Sequence, residues 1–167
     1  MQISFYVLSN SKAQDILGFI CQLTQTALNK SSQSLLILAD DEMLLGELDE
    51  ALWAQNATSF IPHQRLIDDK SDRSTDDAEA IDTETEVIIK EQPLAPVLLS
   101  TYMPEAFKGI VINTTARPVN DFMSATNYAQ PTRVLEIIKP DTTSVQEGRD
   151  KYKHYQNLNY ELTHFKV

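Results

Sequence analysis

The segment Ser34-Leu35-Leu36-Ile37-Leu38-Ala39 limits the fold more than any other part of this chain. A strand covered on one face alternates apolar and polar residues, and this run does not alternate. It has the pattern of a strand buried on both faces, which belongs to a parallel sheet between layers of helix. The residues after it fit that setting. Asp40 and Asp41 can cap a helix, and Glu42 suits its first turn. Met43, Leu44, Leu48, Ala51 and Leu52 then carry an apolar stripe to Trp53, the only tryptophan.

The rest of the chain repeats this alternation. Ile3 to Leu8 is rich in strand formers, and Ser9-Asn10-Ser11 offers helix N-caps. Ile16, Leu17, Ile20, Leu23, Ala27 and Leu28 recur at helical spacing, predicting a helix over about 13–28. Val97–Ser100 and Ile110–Asn113 read as short strands, with a loop or single helical turn at 102–107 between them. Pro118 can open a short helix to about Thr126, and Arg133–Ile138 reads as a strand stopped near Pro140. Thr142 or Ser144 would cap a final helix to about Leu158. The order β-α-β-α-insert-β-β-α-β-α predicts a three-layer α/β fold, with a mainly parallel sheet and helices on both faces. Residues 160–167 carry no clear signal.

A chain of 167 residues suits a single domain over 1–167. The net charge of −10 is uneven. Between Asp68 and Glu91 ten acids face only Lys70, Arg73 and Lys90, a net −7 that leaves −3 elsewhere. Residues 68–92 lack apolar periodicity and read as a flexible acidic insert. Without a basic face, direct binding to nucleic acid is disfavoured. Cys21 stands alone, which excludes an intrachain disulfide and fits a reducing compartment. No apolar run approaches about 18 residues, so no membrane span is expected. Met1–Phe5 has no basic region before an apolar core, so no secretory signal is expected and the expected location is the cytoplasm.

An α/β sheet invites a nucleotide site, but the glycines are only Gly18, Gly46, Gly109 and Gly148, and no phosphate-binding glycine motif exists. Ser9 and Ser11 could hold phosphate at a helix N-terminus, or simply cap it. Asp40-Asp41-Glu42 could bind Mg²⁺, or act as cap and first-turn acids. A nucleotide- or phosphate-binding enzyme at the ends of strands one and two is therefore the alternative reading. It requires Ser9, Ser11 and Asp40 or Asp41 to share a pocket. His63, His154 and His164 show no zinc-ligand spacing. Cys21 lies near an apolar helix face and reads as a buried structural thiol.

Two groups look built for contact. Arg149, Tyr152 and Lys153 fall at i, i+3 and i+4 on the last helix and share a face, with Lys151 and Tyr155 flanking them. A guanidinium beside an aromatic wall suits a carboxylate with an apolar neighbour; a solvated helix face has the same pattern. Trp53 and Phe60 lie on either side of a helix end, ahead of the stiff Pro62. They can complete the core or form an exposed anchor.

These residues carry a family resemblance. Phe5-Tyr6-Val7-Leu8, Leu48-Asp49-Glu50-Ala51-Leu52-Trp53 with Ser59-Phe60-Ile61-Pro62-His63, and Arg149-Asp150-Lys151-Tyr152-Lys153-His154-Tyr155 resemble motifs of the chi subunit of bacterial DNA polymerase III holoenzyme. Pro96-Val97-Leu98-Leu99 and the strand before Pro140 fit the same order, so the likeness spans most of the chain outside about 66–92. The resemblance implies a Rossmann-like fold and a non-catalytic adaptor without cofactor or metal. It implies two partners. One is the psi subunit, forming a heterodimer that reaches the clamp loader. The other is the acidic C-terminal tail of single-strand DNA-binding protein, which ends in phenylalanine. By position, Trp53, Phe60 and Pro62 would face psi, while Arg149, Tyr152 and Lys153 would take the tail, with neighbouring lysines attracting its acids. Lys151 stands where the family usually has Arg, Gln156 where another Arg is common, and Val145-Gln146 where a basic residue is usual. These departures weaken the cationic pocket.

Overall fold

The computed structural model describes residues 1–54, 61–66 and 95–167. Its elements in chain order are β1 (Gln2–Val7), α1 (Asn10–Gln14), α2 (Ile16–Lys30), β2 (Ser34–Leu38), α3 (Glu42–Ala54) and β3 (His63–Arg65). Then come β4 (Val97–Ser100), β5 (Gly109–Asn113), α4 (Val119–Ser124), β6 (Arg133–Ile138), α5 (Thr142–Asn157) and β7 (Glu161–Lys166). The seven strands form one sheet in the order β3-β4-β2-β5-β6-β1-β7. Every pairing is parallel, so this is a Rossmann-like α/β arrangement.

The apolar run Ser34–Leu38 is β2, third in from one edge. Leu35 and Ile37 pack on one side with α2 and α3, through Ile20, Leu23, Leu45, Leu48 and Leu52. Leu36 and Leu38 pack on the other with Val119 and Phe122 of α4 and Tyr155 of α5. Each such side chain contributes about 1.5–3 kcal/mol by leaving water, so the unbroken run needs cover on both faces. Gly109 permits one tight crossing: a Cβ there would stand 2.2 Å from the Ser34 carbonyl oxygen.

Four expectations change. The first helical region is two helices, because Asp15 leaves helical geometry and accepts from the Gly18 N–H at 3.2 Å. Asp141, rather than Thr142 or Ser144, caps α5, its carboxylate accepting from the Ser144 N–H at 2.9 Å. His63–Arg65 adds an edge strand, and the tail that carried no signal forms β7. The expected insert at 68–92 and the predicted contact residue Phe60 lie outside the described residues.

Candidate functional site

α5 faces two ways, and each face has its own chemistry. The inward face carries Lys151 and Tyr155, four residues apart. Both meet Glu136, a carboxylate in the middle of the apolar strand β6 and fully buried. Lys151 Nζ donates to Glu136 Oε2 at 2.7 Å and to the Thr115 carbonyl at 2.8 Å. Tyr155 Oη donates to Glu136 Oε1 at 2.5 Å, and Asn113 Nδ2 donates to the same oxygen at 2.9 Å. The Val119 N–H in turn donates to Tyr155 Oη at 2.8 Å. Burial first, and then the adjacent carboxylate, push the Tyr155 phenol far above its ordinary range. Both effects favour the protonated phenol, which is the form that donates to Glu136.

This arrangement corrects one expectation. Lys151 is only 3% exposed and is committed to Glu136, so it cannot attract an acidic ligand from solvent. The sequence signal was available: residues two apart on a helix do not share a face. A lone glutamate inside an apolar strand also requires a buried partner.

The outward face of α5 presents Arg149, Tyr152 and Lys153, as the spacing predicts. With β1, β6 and β7 they line a cavity of about 350 Å³ whose other walls include Phe5, Val7, Ile138 and His164. Phe5 and His164 stack at 5.2 Å between ring centroids, and Tyr152 tilts against both at 5.8 and 5.1 Å. The walls are thus apolar and the cations stand at the rim. Among the described residues, neither the Arg149 guanidinium nor the Lys153 ammonium is hydrogen-bonded or ion-paired. Gly148 brings the helix close to the sheet here: a Cβ would sit 2.8 Å from Ile138 Cδ1. Asp141, whose carboxyl is held below its usual range chiefly by the Ser144 backbone N–H, anchors the start of the same helix. Sequence spacing alone did not reveal Phe5, Val7 and His164, because they come from strands that only the fold brings together.

Trp53 is elsewhere. It ends α3 beside the β3 edge, is 63% exposed, and meets His63 edge-on at 5.7 Å. His63 is held by the Asp49 carboxylate at 2.6 Å and by the Ile61 carbonyl at 2.7 Å. Ile61 is buried while Pro62 is exposed, so the chain turns one side chain in and the next out. Trp53 and Pro62 are thus both exposed, and His63, which touches the Trp53 ring, is the chain neighbour of Pro62. Met43, also exposed, lies ten residues before Trp53 on α3, and Gly46 and Glu50 continue the row between them.

The residues of the nucleotide alternative separate. Ser9 accepts from the Lys12 N–H and Asp41 accepts from the Leu44 N–H at 2.7 Å, both as helix caps. Asp40 accepts from the Ala116 N–H at 3.3 Å. Ser11 lines a cavity with Lys12, Asp15 and Gln22, whereas Asp40 lines another with Thr114, Lys139 and Glu147. β5 and β6 stand between β2 and β1 in the sheet, which keeps the two groups apart. Among the described residues no cluster of three His, Cys, Asp or Glu could hold a metal, and no helix is long and apolar enough to cross a membrane. The Cys21 thiol is buried and pushed up to about 11, mainly by desolvation.

Comparison with known proteins adds an independent line. Residues 1–163 match the family model described as DNA polymerase III chi subunit, HolC. A Pseudomonas aeruginosa protein described as DNA polymerase III subunit chi is 26% identical over 162 residues, covering 96% of this chain and 93% of its own length. Its Escherichia coli counterpart is 41% identical over 63 residues, 36% of this chain and 43% of that protein. In fold, the chain resembles the crystal structure of T4 UvsW, with a TM-score of 0.58 at 10% identity. That match covers 99% of this chain but 41% of the larger one, and it speaks to the α/β architecture alone.

Proposed function

This chain belongs to the DNA polymerase III chi subunit family and so has a replication accessory role; from that premise we propose that it is a non-catalytic adaptor with two separate protein contacts. One is to the acidic C-terminal tail of single-strand DNA-binding protein. The other is to the psi subunit, through which the chain reaches the clamp loader. Linking two binding events raises the effective concentration of each partner near the other, which is the work of an adaptor.

The observation that carries the tail assignment is the apolar cavity under Arg149 and Lys153. A terminal phenylalanine offers a ring and an α-carboxylate one residue wide. The ring fits among Phe5, Tyr152 and His164, and the carboxylate fits Arg149, whose fork can bind it bidentately. Lys153 supplies further positive charge for the upstream acids and a faster approach. Lys151 takes no part, so the site has fewer cations than the sequence pattern implied.

The psi assignment rests on Trp53, exposed at the end of α3, and on exposed Pro62 just before β3, with Phe60 assigned by resemblance. A large exposed aromatic with an apolar neighbour has the character of an interface anchor. The direct test uses Arg149→Ala. Fluorescence anisotropy with a labelled acidic peptide ending in a free phenylalanine should show at least about tenfold weaker binding, the worth of a charged hydrogen-bonded contact. Capture of psi should be unchanged. Peptide affinity equal to the parent's would overturn the assignment.

A further inference from the structure

β7 ends the sheet, and among the described residues no strand covers its outer side. The Glu161 N–H bonds the Met1 carbonyl at 3.4 Å, the Val167 N–H bonds the Val7 carbonyl at 3.1 Å, and the Val167 carbonyl accepts from the Ser9 N–H at 2.8 Å. Backbone groups alternate along a strand, so odd-numbered residues of β7 face β1 while Leu162, His164 and Lys166 point theirs outward. His164 belongs to both features. Its ring lines the Arg149 cavity, and its backbone opens at the free edge.

We propose that an acidic peptide anchored in the Arg149 cavity continues as an eighth strand on β7, parallel to it, with main-chain hydrogen bonds to Leu162, His164 and Lys166. This rests on the tail-binding reading above and extends it from an end-group pocket to a strand-length site.

The direction follows from register. Gly148 packs on Ile138, Ile138 pairs with Val7, and Val7 pairs with Lys166. Arg149 is therefore level with the C-terminal end of β7, while Tyr152 lies one helical turn back, against His164. A carboxylate held at Arg149 leaves the preceding residues running back toward Leu162, the parallel orientation. Charge suits an acidic occupant, because Arg149 and Lys153 line the cavity and Lys166 ends the adjoining β7, in a chain whose net charge is −10. Asp150 is occupied by Gln146 Nε2 at 3.1 Å, and Glu161 sits at the far end of β7. Strand addition at an exposed edge gains affinity from the backbone and selectivity from alternate side chains.

The experiment is an N-methyl scan of the same acidic peptide, read by anisotropy against the intact chain and against Arg149→Ala. Strand pairing predicts a period of two: methyl groups on alternate amides each weaken binding about five- to tenfold, as for a lost hydrogen bond, and those between do little. The backbone amides of Leu162, His164 and Lys166 should gain exchange protection on peptide addition. A flat scan, with Arg149→Ala still damaging, overturns the eighth strand and leaves the pocket standing. An Arg149→Ala chain that binds like the parent overturns both.

Discussion

The Arg149 cavity and the Trp53 surface are built on different foundations. The cavity is concave and needs walls that hold their positions. It gets them from α5, pinned to the sheet by Glu136, Lys151 and Tyr155, and from strands β1, β6 and β7. The Trp53 surface is the exposed end of a helix, where the indole meets His63 edge-on. A pocket for a short peptide must be preorganised, because a short ligand has little energy to spend on shaping it. An anchor for a folded partner needs only to protrude, since the partner supplies the complementary shape.

The sharpest way to break this contrast is to remove the pin. Glu136→Ala would leave Lys151 Nζ, Tyr155 Oη and Asn113 Nδ2 without their shared acceptor in a dry interior. Orphaning a buried ion-pair partner costs about 3–5 kcal/mol, so denaturant unfolding should shift by that much. Trp53→Ala should move stability by only about 0.5 kcal/mol, as exposed positions do. Equal effects from the two substitutions would erase the distinction. In binding the ranking reverses for one partner. Trp53→Ala should weaken psi binding by about 2–4 kcal/mol by isothermal titration, with peptide affinity unchanged. Tyr152→Ala removes a cavity wall and should cost the peptide about 1–2 kcal/mol, with psi binding unchanged. A loss of psi affinity in Tyr152→Ala would mean that the two surfaces are one.

The central sheet was legible because its strands are chemically extreme. Ser34–Leu38 and Val97–Ser100 have no amphipathic reading, and parallel packing is the arrangement that buries both faces. β7 was not legible: in Glu161-Leu162-Thr163-His164-Phe165-Lys166 four of the six residues are polar, as suits a strand at the edge of the sheet. Its pairing to β1 depends on contacts across more than 150 positions of sequence, which no local pattern reports. The Arg149–Tyr152–Lys153 face was legible from helical spacing, but the cavity under it was not, since Phe5, Val7 and His164 arrive from distant strands. Lys151 was misread through attention to residue type. Its angle around the helix, and the lone Glu136 in an apolar strand, both pointed inward.

The smallest expected difference is also the most diagnostic of mechanism. The proposed tail binding joins a carboxylate and upstream acids to Arg149 and Lys153 at an exposed rim, where a Debye length of about 8 Å at physiological salt already dampens the attraction. Raising salt to about 1 M shortens that length to about 3 Å and should weaken the peptide several-fold, mostly through the association rate. The ring buried among Phe5, Tyr152 and His164 should keep part of the affinity, because burial of apolar surface is not screened. Psi binding through Trp53 should change much less over the same titration. Surface plasmon resonance of both partners across one salt series tests this directly. Parallel slopes would mean that the Trp53 surface also works by charge, and that exposure of an aromatic ring is the wrong account of it.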